Sequence, residues 1–363
     1  MRTPAQAKQP HYHQSCHSQA GHNQAGHKKT RYLPTLAFSV IAWGSLLALL
    51  TVLSVGIGTA TISPATTWQA LVNFDASNSD HLLVQHLRLP RTLMALLTGA
   101  ALACAGVIMQ ALTRNPLADP GILGVNAGAA VAIVLGIALL SVNDLIGQLV
   151  LGMIGAGLTG ALVLVLGGRR LGSDPVRIVL AGTALSMVLL AVTQIITINS
   201  HDQVFEQFRH WAVGTLQGRG YRVLIPALLP ILLGLISALM LARSLDTLVL
   251  GDDLSLALGS RPRLIWWLSA AVVTLLAGTA TAAAGPIAFI GLTAPHLARF
   301  IVGPNHYRLL PCAMFCGALL MLTADILGRQ IAHPGEVAVG IMIALLGGPF
   351  FVVLARRRSL NQP

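Results

Sequence analysis

Residues 88–130 read RLPRTLMALLTGAALACAGVIMQALTRNPLADPGILGVNAGAA. Arg88 and Arg91 flank Pro90 at the front of an apolar run, and Asn115-Pro116-Leu117 and Asp119-Pro120-Gly121 break the chain behind it. A second apolar run starts at once, near Ile122. About 20 apolar residues is the length of a helix that spans a bilayer. Two such runs joined by a short Pro/Gly turn make a transmembrane helical hairpin, because in lipid each backbone N–H and C=O must be satisfied internally.

The rest of the chain follows the same pattern. Hydrophobic residues make up 55% of the 363, charged residues only 10%, and the mean hydropathy is +0.73. A soluble protein averages about 25% charged residues. Apolar runs fall at 35–58, 92–112, 122–141, 146–167, 176–198, 223–243, 264–284, 286–302, 309–328 and 337–355. The expectation is an all-α, polytopic membrane protein of about ten transmembrane helices. Gly285-Pro286 splits one pair of runs and His333-Pro334-Gly335 precedes the last. The net charge of +11 is read as a Lys/Arg bias of cytoplasmic loops, not as a nucleic-acid surface.

Residues 1–33 form a polar tail holding His11, His13, His17, His22, His27 and Cys16. It is read as a disordered cytoplasmic tail, with weak transition-metal binding as the sharper alternative; its spacings match no structural zinc pattern. With the tail inside, Arg114, Arg169, Arg170, Arg177, Arg243, Arg261, Arg263, Arg299, Arg308 and Arg356 to Arg358 fall in inner positions. They outnumber the outer set of Arg88, Arg91, Arg209, Arg219, Arg222 and Arg329. An even number of helices returns the carboxyl end to the cytoplasm, in accord with the positive-inside rule.

Every lysine (Lys8, Lys28 and Lys29) lies in the tail. A phosphate-cradling Walker loop ends in Gly-Lys-Ser/Thr, so the chain has none and is not its own ATPase. Cys312 and Cys316 share a helix face and are read as packing residues, not as a disulfide or metal pair. Three stretches interrupt the apolar pattern. In 59–91, Ser63-Pro64 opens a segment, TTWQALV, that suits a short surface helix. In 201–222, charges surround Trp211 in what reads as a short helix at the outer rim. In 244–263, Asp252-Asp253 and Gly259 bracket a helix-forming segment with acids at its start and glycine at its end.

Gly124 with Gly128, Gly152 with Ala156 and Ala156 with Gly160 form small-xxx-small steps that let helices approach closely, within one chain or between two. Asp119, Asp144, Asp174, Asp202, Glu206, Asp246, Asp252 and Asp253 lie in loops or at helix ends. Asp325 lies within an apolar run, four residues before Arg329, a spacing that allows an ion pair. No chain of carboxylates suited to proton relay crosses the membrane, which disfavours an ion-coupled secondary transporter. His296 in GLTAPHLAR has no nucleophile nearby in sequence and is read as structural.

RLPR followed by GAALACAGVIMQALTRNPLADPGILGVNAGA resembles the signature of the iron-siderophore and cobalamin importer permeases, the FecCD/BtuC family of ABC transporters. WAVGTL, GPIAFIGLTAPHLAR and ADILGR extend the resemblance over residues 35–356. It implies a permease domain, residues 34–358, that binds no cofactor of its own and works with ABC ATPase subunits that hydrolyse ATP. It also implies a periplasmic or lipid-anchored substrate-binding protein and a second permease chain, identical or not. Its setting would be the lipid of a bacterial inner membrane and its cargo a ferric siderophore, with haem or cobalamin as alternatives. Arg88, Arg91 and Arg329 match positions that receive acidic residues of the binding protein. Asn115 and Leu117 match positions near the cytoplasmic gate, and Pro175 and Val176 stand where some relatives place hydroxyls in a second gate region. The 244–263 loop, with Asp252, Asp253, Leu256, Leu258 and Gly259, resembles the coupling helix that enters an ATPase cleft.

The tail carries no core-forming pattern. Deleting residues 1–30, with basic residues kept before Leu33 to preserve orientation, should leave uptake at saturating substrate near normal; radiolabelled uptake in cells with matched membrane levels of the protein checks this.

Overall fold

A computed structural model describes residues 32–58, 60–167, 175–332 and 335–359. The histidines and Cys16 of the tail, and Arg169, Arg170, Ser173, Asp174, His333 and Pro334, lie outside the described residues. The chain divides into a unit ending at Gly44 and a unit from Ser45 onward; the packing below is that of the second.

The described residues are helices and their connections. In order they are α1 (Tyr32–Gly56), α2 (Pro64–Val72), α3 (Ser79–Leu83), α4 (Leu89–Thr113), α5 (Val125–Leu140), α6 (Leu145–Gly167) and α7 (Pro175–Ile198). There follow α8 (Asp202–Ala212), α9 (Tyr221–Val249), α10 (Asp252–Ala257), α11 (Pro262–Ala284), α12 (Ile290–Val302), α13 (His306–Ile331) and α14 (Val339–Ser359). Six helical segments are long and apolar enough to cross a membrane, and four shorter apolar helices accompany them. Each of the ten expected apolar runs is a helix.

Helices α4, α9, α11, α12 and α13 pack as the centre of the bundle, and α5, α6 and α7 pack together beside them. Glycine sets how closely they approach. A Cβ built at Gly317 on α13 falls 2.3 Å from the carbonyl oxygen of Gly99 on α4, and one at Gly99 falls 2.4 Å from that of Gly317. A Cβ at Gly106 on α4 meets the Gly291 carbonyl of α12. The small-residue steps read from the sequence pack inside this chain: Gly128 against Gly155 and Thr159, Gly152 against Ala282, and Gly160 against Thr274. Without water to drive association, such close backbone contact is how helices gain adhesion in lipid.

Where the structure departs from the sequence reading, the cause is local. The last turn before α4 is a π-helix, Val84–Arg88, with the Leu89 N–H bonded to the Val84 carbonyl. Pro90 has no N–H and its ring crowds the preceding turn, and the widened turn accommodates both. Helix α9 continues to Val249, so residues 244–249 are not loop; the connection begins at Leu250. The run expected from 286 begins as a helix only at Ile290, because Gly285 (φ +80°) and Phe289 (φ +66°) keep the intervening residues irregular. Helix α2 starts where Ser63-Pro64 predicts, with the Ser63 hydroxyl accepting from the Thr66 N–H at 3.0 Å.

Replacing Gly317 with alanine forces α4 and α13 apart. Overpacking of this kind costs about 1–3 kcal/mol, and Gly317→Ala should melt several degrees below the parent in a detergent thermal-shift assay. Gly157→Ala, with open space around its Cβ, should not.

Candidate functional site

The two ends of α4 carry the two groups of residues that the sequence singles out. At its start, Arg88, Arg91 and Arg329 come together around one cavity of about 210 Å³, with Arg219 and Glu336 also in its wall. The three motif arginines, expected as docking groups, each also hold contacts within the chain. Arg88 is buried and donates to the carbonyls of Val55 (3.2 Å), Gly56 (2.6 Å) and Ala60 (2.5 Å). Arg329, 2% exposed, donates to the Ser54 (2.7 Å) and Ile57 (2.9 Å) carbonyls. These are the carbonyls at and just past the end of α1, which has no next turn to supply donors. Two cations there also face the negative end of the helix dipole. Arg88 and Arg329 are therefore caps of α1.

Arg91 is bound on both sides. Its Nε and Nη2 donate to Asp325 Oδ1 at 3.0 and 2.8 Å, and its Nη1 donates to Glu336 at 2.7 Å. Asp325, 1% exposed, also pairs with Arg329 through its other oxygen, so the i,i+4 pair read from the sequence is present. The sequence reading did not see that Arg91 shares the same carboxylate across 234 positions. It also passed over Glu336, which follows the breaker at 333–335 and lies in no apolar run. Its one legible signal is an acid opposite a known arginine cluster.

The cavity's remaining wall comes from the loop between α8 and α9. Trp211 is buried and donates to the Ala282 carbonyl at 3.4 Å. The Thr215 N–H donates to the Ala284 carbonyl at 2.7 Å, and the Gly340 N–H to the Gly214 carbonyl at 2.9 Å. Gly214 (φ +72°) and Gly285 (φ +80°) permit this contact, since either Cβ would strike backbone across it. WAVGTL is thus held against the break after α11 and the start of α14, and it carries Gln217 and Arg219 to the cavity.

The other end of α4 stops at Arg114, whose φ of +49° turns the chain. Asn115 and Leu117 follow in an exposed turn, with the Asn115 side chain accepting from the Leu117 N–H at 2.9 Å. Arg114 donates to Asp252 at 2.6 Å and to the Leu248 carbonyl at 3.2 Å. This ties the turn to α10. Helix α10 has Asp252 and Asp253 in its first turn. It closes with Gly259 at φ +75°, whose N–H donates to the Leu256 carbonyl (2.9 Å), while the Ser260 N–H donates to that of Ser255 (3.0 Å). That pair of bonds is the Schellman ending that favours glycine. Leu254, Leu256 and Leu258 are 58%, 56% and 62% exposed; Leu254 was not singled out from the sequence, though it has the same spacing.

Pro175 opens α7 and Val176 beside it is exposed. Helix α7 packs against the Pro120–Leu123 turn, where a Cβ built at Gly182 meets the Ile122 carbonyl. Asp119, at the head of that turn, accepts from the Gly121 N–H at 2.8 Å. Burial raises its carboxyl above the usual range, and this bond works the other way. His296 is buried with Nδ1 at 2.8 Å from the Leu292 carbonyl, a structural position within α12. Cys104, Cys312 and Cys316 are free thiols.

An apolar helical bundle with a cation-lined cavity at one end and a short, capped, leucine-bearing helix at the other is the architecture of a polytopic membrane transport subunit. Residues 46–357 match the FecCD transport family, and the chain belongs to that family. It is 43% identical over 316 residues to the ferric enterobactin transport system permease protein FepD of Escherichia coli (strain K12), covering 86% of this chain and 93% of that one. It is 39% identical over 323 residues to the hemin transport system permease protein HmuU of Yersinia pestis, covering 87% and 95%. It is 39% identical over 292 residues to the probable siderophore transport system permease protein YfiZ of Bacillus subtilis (strain 168), covering 80% and 87%. A solved inward-facing structure of a metal-chelate type ABC transporter superposes with a TM-score of 0.77 at 31% identity, covering 89% of this chain and 99% of that one.

Removing one member of a buried ion pair strands the other. Asp325→Leu leaves Arg91 and Arg329 facing each other and should cost about 3–5 kcal/mol, read as a lower detergent melting temperature. Adding Arg329→Met should restore part of the loss, but not all, because the Ser54 and Ile57 carbonyls then lack their donor.

Proposed function

We propose that this chain is the permease subunit of a binding-protein-dependent ABC importer that moves a ferric siderophore across a bacterial inner membrane, with ATP hydrolysed by a separate subunit. The observation that carries the reading is the pairing of the two ends of α4. The arginine-lined cavity is suited to an acidic docking partner, and the exposed leucines of α10 are suited to an apolar cleft. Three large aliphatic side chains on so short a helix, in contact with little of their own chain, are explained by a partner that covers them. The names of the relatives, which include siderophore and hemin permeases, support a ferric chelate as cargo.

In this reading the arginine end faces the periplasm and receives a substrate-binding protein. The α10 end faces the cytoplasm and sits on an ABC ATPase. Both chain ends are cytoplasmic, in keeping with ten apolar helices and with Arg356 to Arg358 at the carboxyl end. A second permease chain completes the path. Asn115, Leu117, Pro175 and Val176 flank the cytoplasmic gate, and Arg114 links that gate to α10. The Arg114–Asp252 pair is about two-fifths exposed on both sides, so it contributes only about 0–1 kcal/mol. Its role is to keep the gate turn and α10 in register, not to stabilise the fold.

Proteoliposomes holding the permease and its ATPase should take up a radiolabelled ferric siderophore only with ATP inside the cytoplasmic compartment and binding protein outside. Haemin or cobalamin taken up in its place, with siderophores ignored, would overturn the cargo assignment. Gly259→Trp tests the coupling helix. The position has open space around it, so the bulk projects outward toward a partner. A side chain at φ +75° adds only about 1–2 kcal/mol of strain. The variant should insert normally, keep ATP hydrolysis and lose most uptake.

A further inference from the structure

Helix α2, PATTWQALV, presents three different sides. Thr67 and Ala70 are buried, and Ala70 packs with Val55 at the end of α1 and Val84 in the π-turn before α4. Trp68, Leu71 and Val72 share a second side by their i, i+3 and i+4 spacing, and they are 68%, 41% and 66% exposed. Gln69 and, just past the helix end, Asn73 make a third side that is polar and exposed. The surface that α2 leaves uncovered is therefore amphipathic, with one apolar and one polar flank.

We infer that α2 is an interfacial anchor, with Trp68, Leu71 and Val72 seated in the boundary between headgroups and acyl chains of the lipid leaflet at the arginine end of the bundle. Position favours lipid. Val52, one turn before Val55 on nearly the same side of α1, is 69% exposed. Helix α2 thus sits at the end of a flank that α1 turns toward lipid, and it covers only the last turn of that flank. Level favours the boundary. The end of α1 and the starts of α4 and α9 meet at one cavity, with Gly58, Arg88 and Gly220 in its wall. An aromatic row marks the same level. Phe74 stands edge-on to His86 at 6.2 Å, and His86 to Tyr221, the first residue of α9, at 6.3 Å. Tryptophan and tyrosine gather where hydrocarbon meets headgroups, because their rings are apolar and their N–H or O–H is wet. Chemistry favours the acyl region over lipid phosphate or an acidic protein, since residues 57–87 contain no lysine or arginine. Left in water, such an apolar face would be an aggregation liability. The inference uses the membrane setting of the family and is independent of the docking and cargo readings above.

The experiment uses the full-length permease with its ATPase in nanodiscs. Trp68 emission is the parent spectrum minus that of Trp68→Phe, a conservative change at an exposed position. Phospholipids brominated near the headgroup end of their acyl chains should quench most of this component, and aqueous acrylamide should quench little of it. Because the contact is apolar, the result should be the same in phosphatidylcholine and in phosphatidylglycerol. Leu71→Asp combined with Val72→Asp should lift the helix, so that most of the bromolipid quenching is lost and acrylamide quenching rises. Both positions are exposed, and the detergent melting temperature of that variant should stay at the parent value. Strong acrylamide quenching in the parent overturns the inference, since the face would then lie in water. Resistance to both quenchers overturns it in favour of a protein cover, such as a second copy of this chain. Acrylamide protection that arises only when the soluble binding protein is added overturns it in favour of that protein. Bromolipid quenching confined to phosphatidylglycerol, or kept in the double aspartate variant, would show that this face does not seat the helix and would overturn it as well.

Discussion

A carboxylate that is 1% exposed among apolar helices holds its charge only if cations and donors surround it. Asp325 meets this condition with Arg91 from α4 and Arg329 from its own helix, and that constraint fixes the arginine end of the bundle. Arg329, held by Asp325, caps α1. The Ser54 and Thr92 hydroxyls, 2.8 Å apart, join α1 to α4 beside it. About two turns further in, Gly99 and Gly317 bring α4 and α13 into backbone contact. Neither device suffices alone. The glycines permit close approach along the whole face, and the ion pairs select one register from those the glycines would allow.

The same logic separates what the sequence made legible from what it did not. Helix positions were legible because ten runs of apolar residues in a chain this poor in charge admit no other use. The Asp325–Arg329 pair was legible because both partners lie on one helix and the spacing is fixed by its pitch. Arg91 belongs to the same group but stands 234 residues away, and no local periodicity reports that. Arg88 shows the reverse problem. Its position at a helix start next to proline suggests the membrane rim, where arginine is usually solvated. The carbonyls that claim it belong to α1, and their need for donors exists only once α1 ends beside α4. The α10 cap was legible in full from Asp252, Asp253 and Gly259. The exit of α9 was not, because the helix overshoots its apolar run by a turn and a half through polar residues.

The opposite end of α4 is built to a different standard. Its ion pair to α10 is about two-fifths exposed, its turn at Asn115–Leu117 is open, and α10 is a short helix bounded by glycines with positive φ. Such elements open at little free-energy cost, as moving parts must. In the coupling-helix reading proposed above, motion of α10 has the ion-paired end of the bundle as a fixed body to act against. Arg114 at the carboxyl end of α4 is where the two meet, because α4 is the one helix that contributes both to the buried arginine cluster and to the turn bonded to α10.

Charge balance at the rigid end then has a mechanical consequence. Arg88 and Arg329 are occupied by backbone carbonyls of α1, and Arg91 and Asp325 by each other. Each of these contacts holds one helix to another or closes the end of α1. Arg219 lies on a loop anchored by Trp211 and Thr215 to the break after α11, and its guanidinium holds no helix in place. The paired charges of this end thus sit between helices, where they fix the packing, and the loop adds a cation to the cavity without tying those helices together.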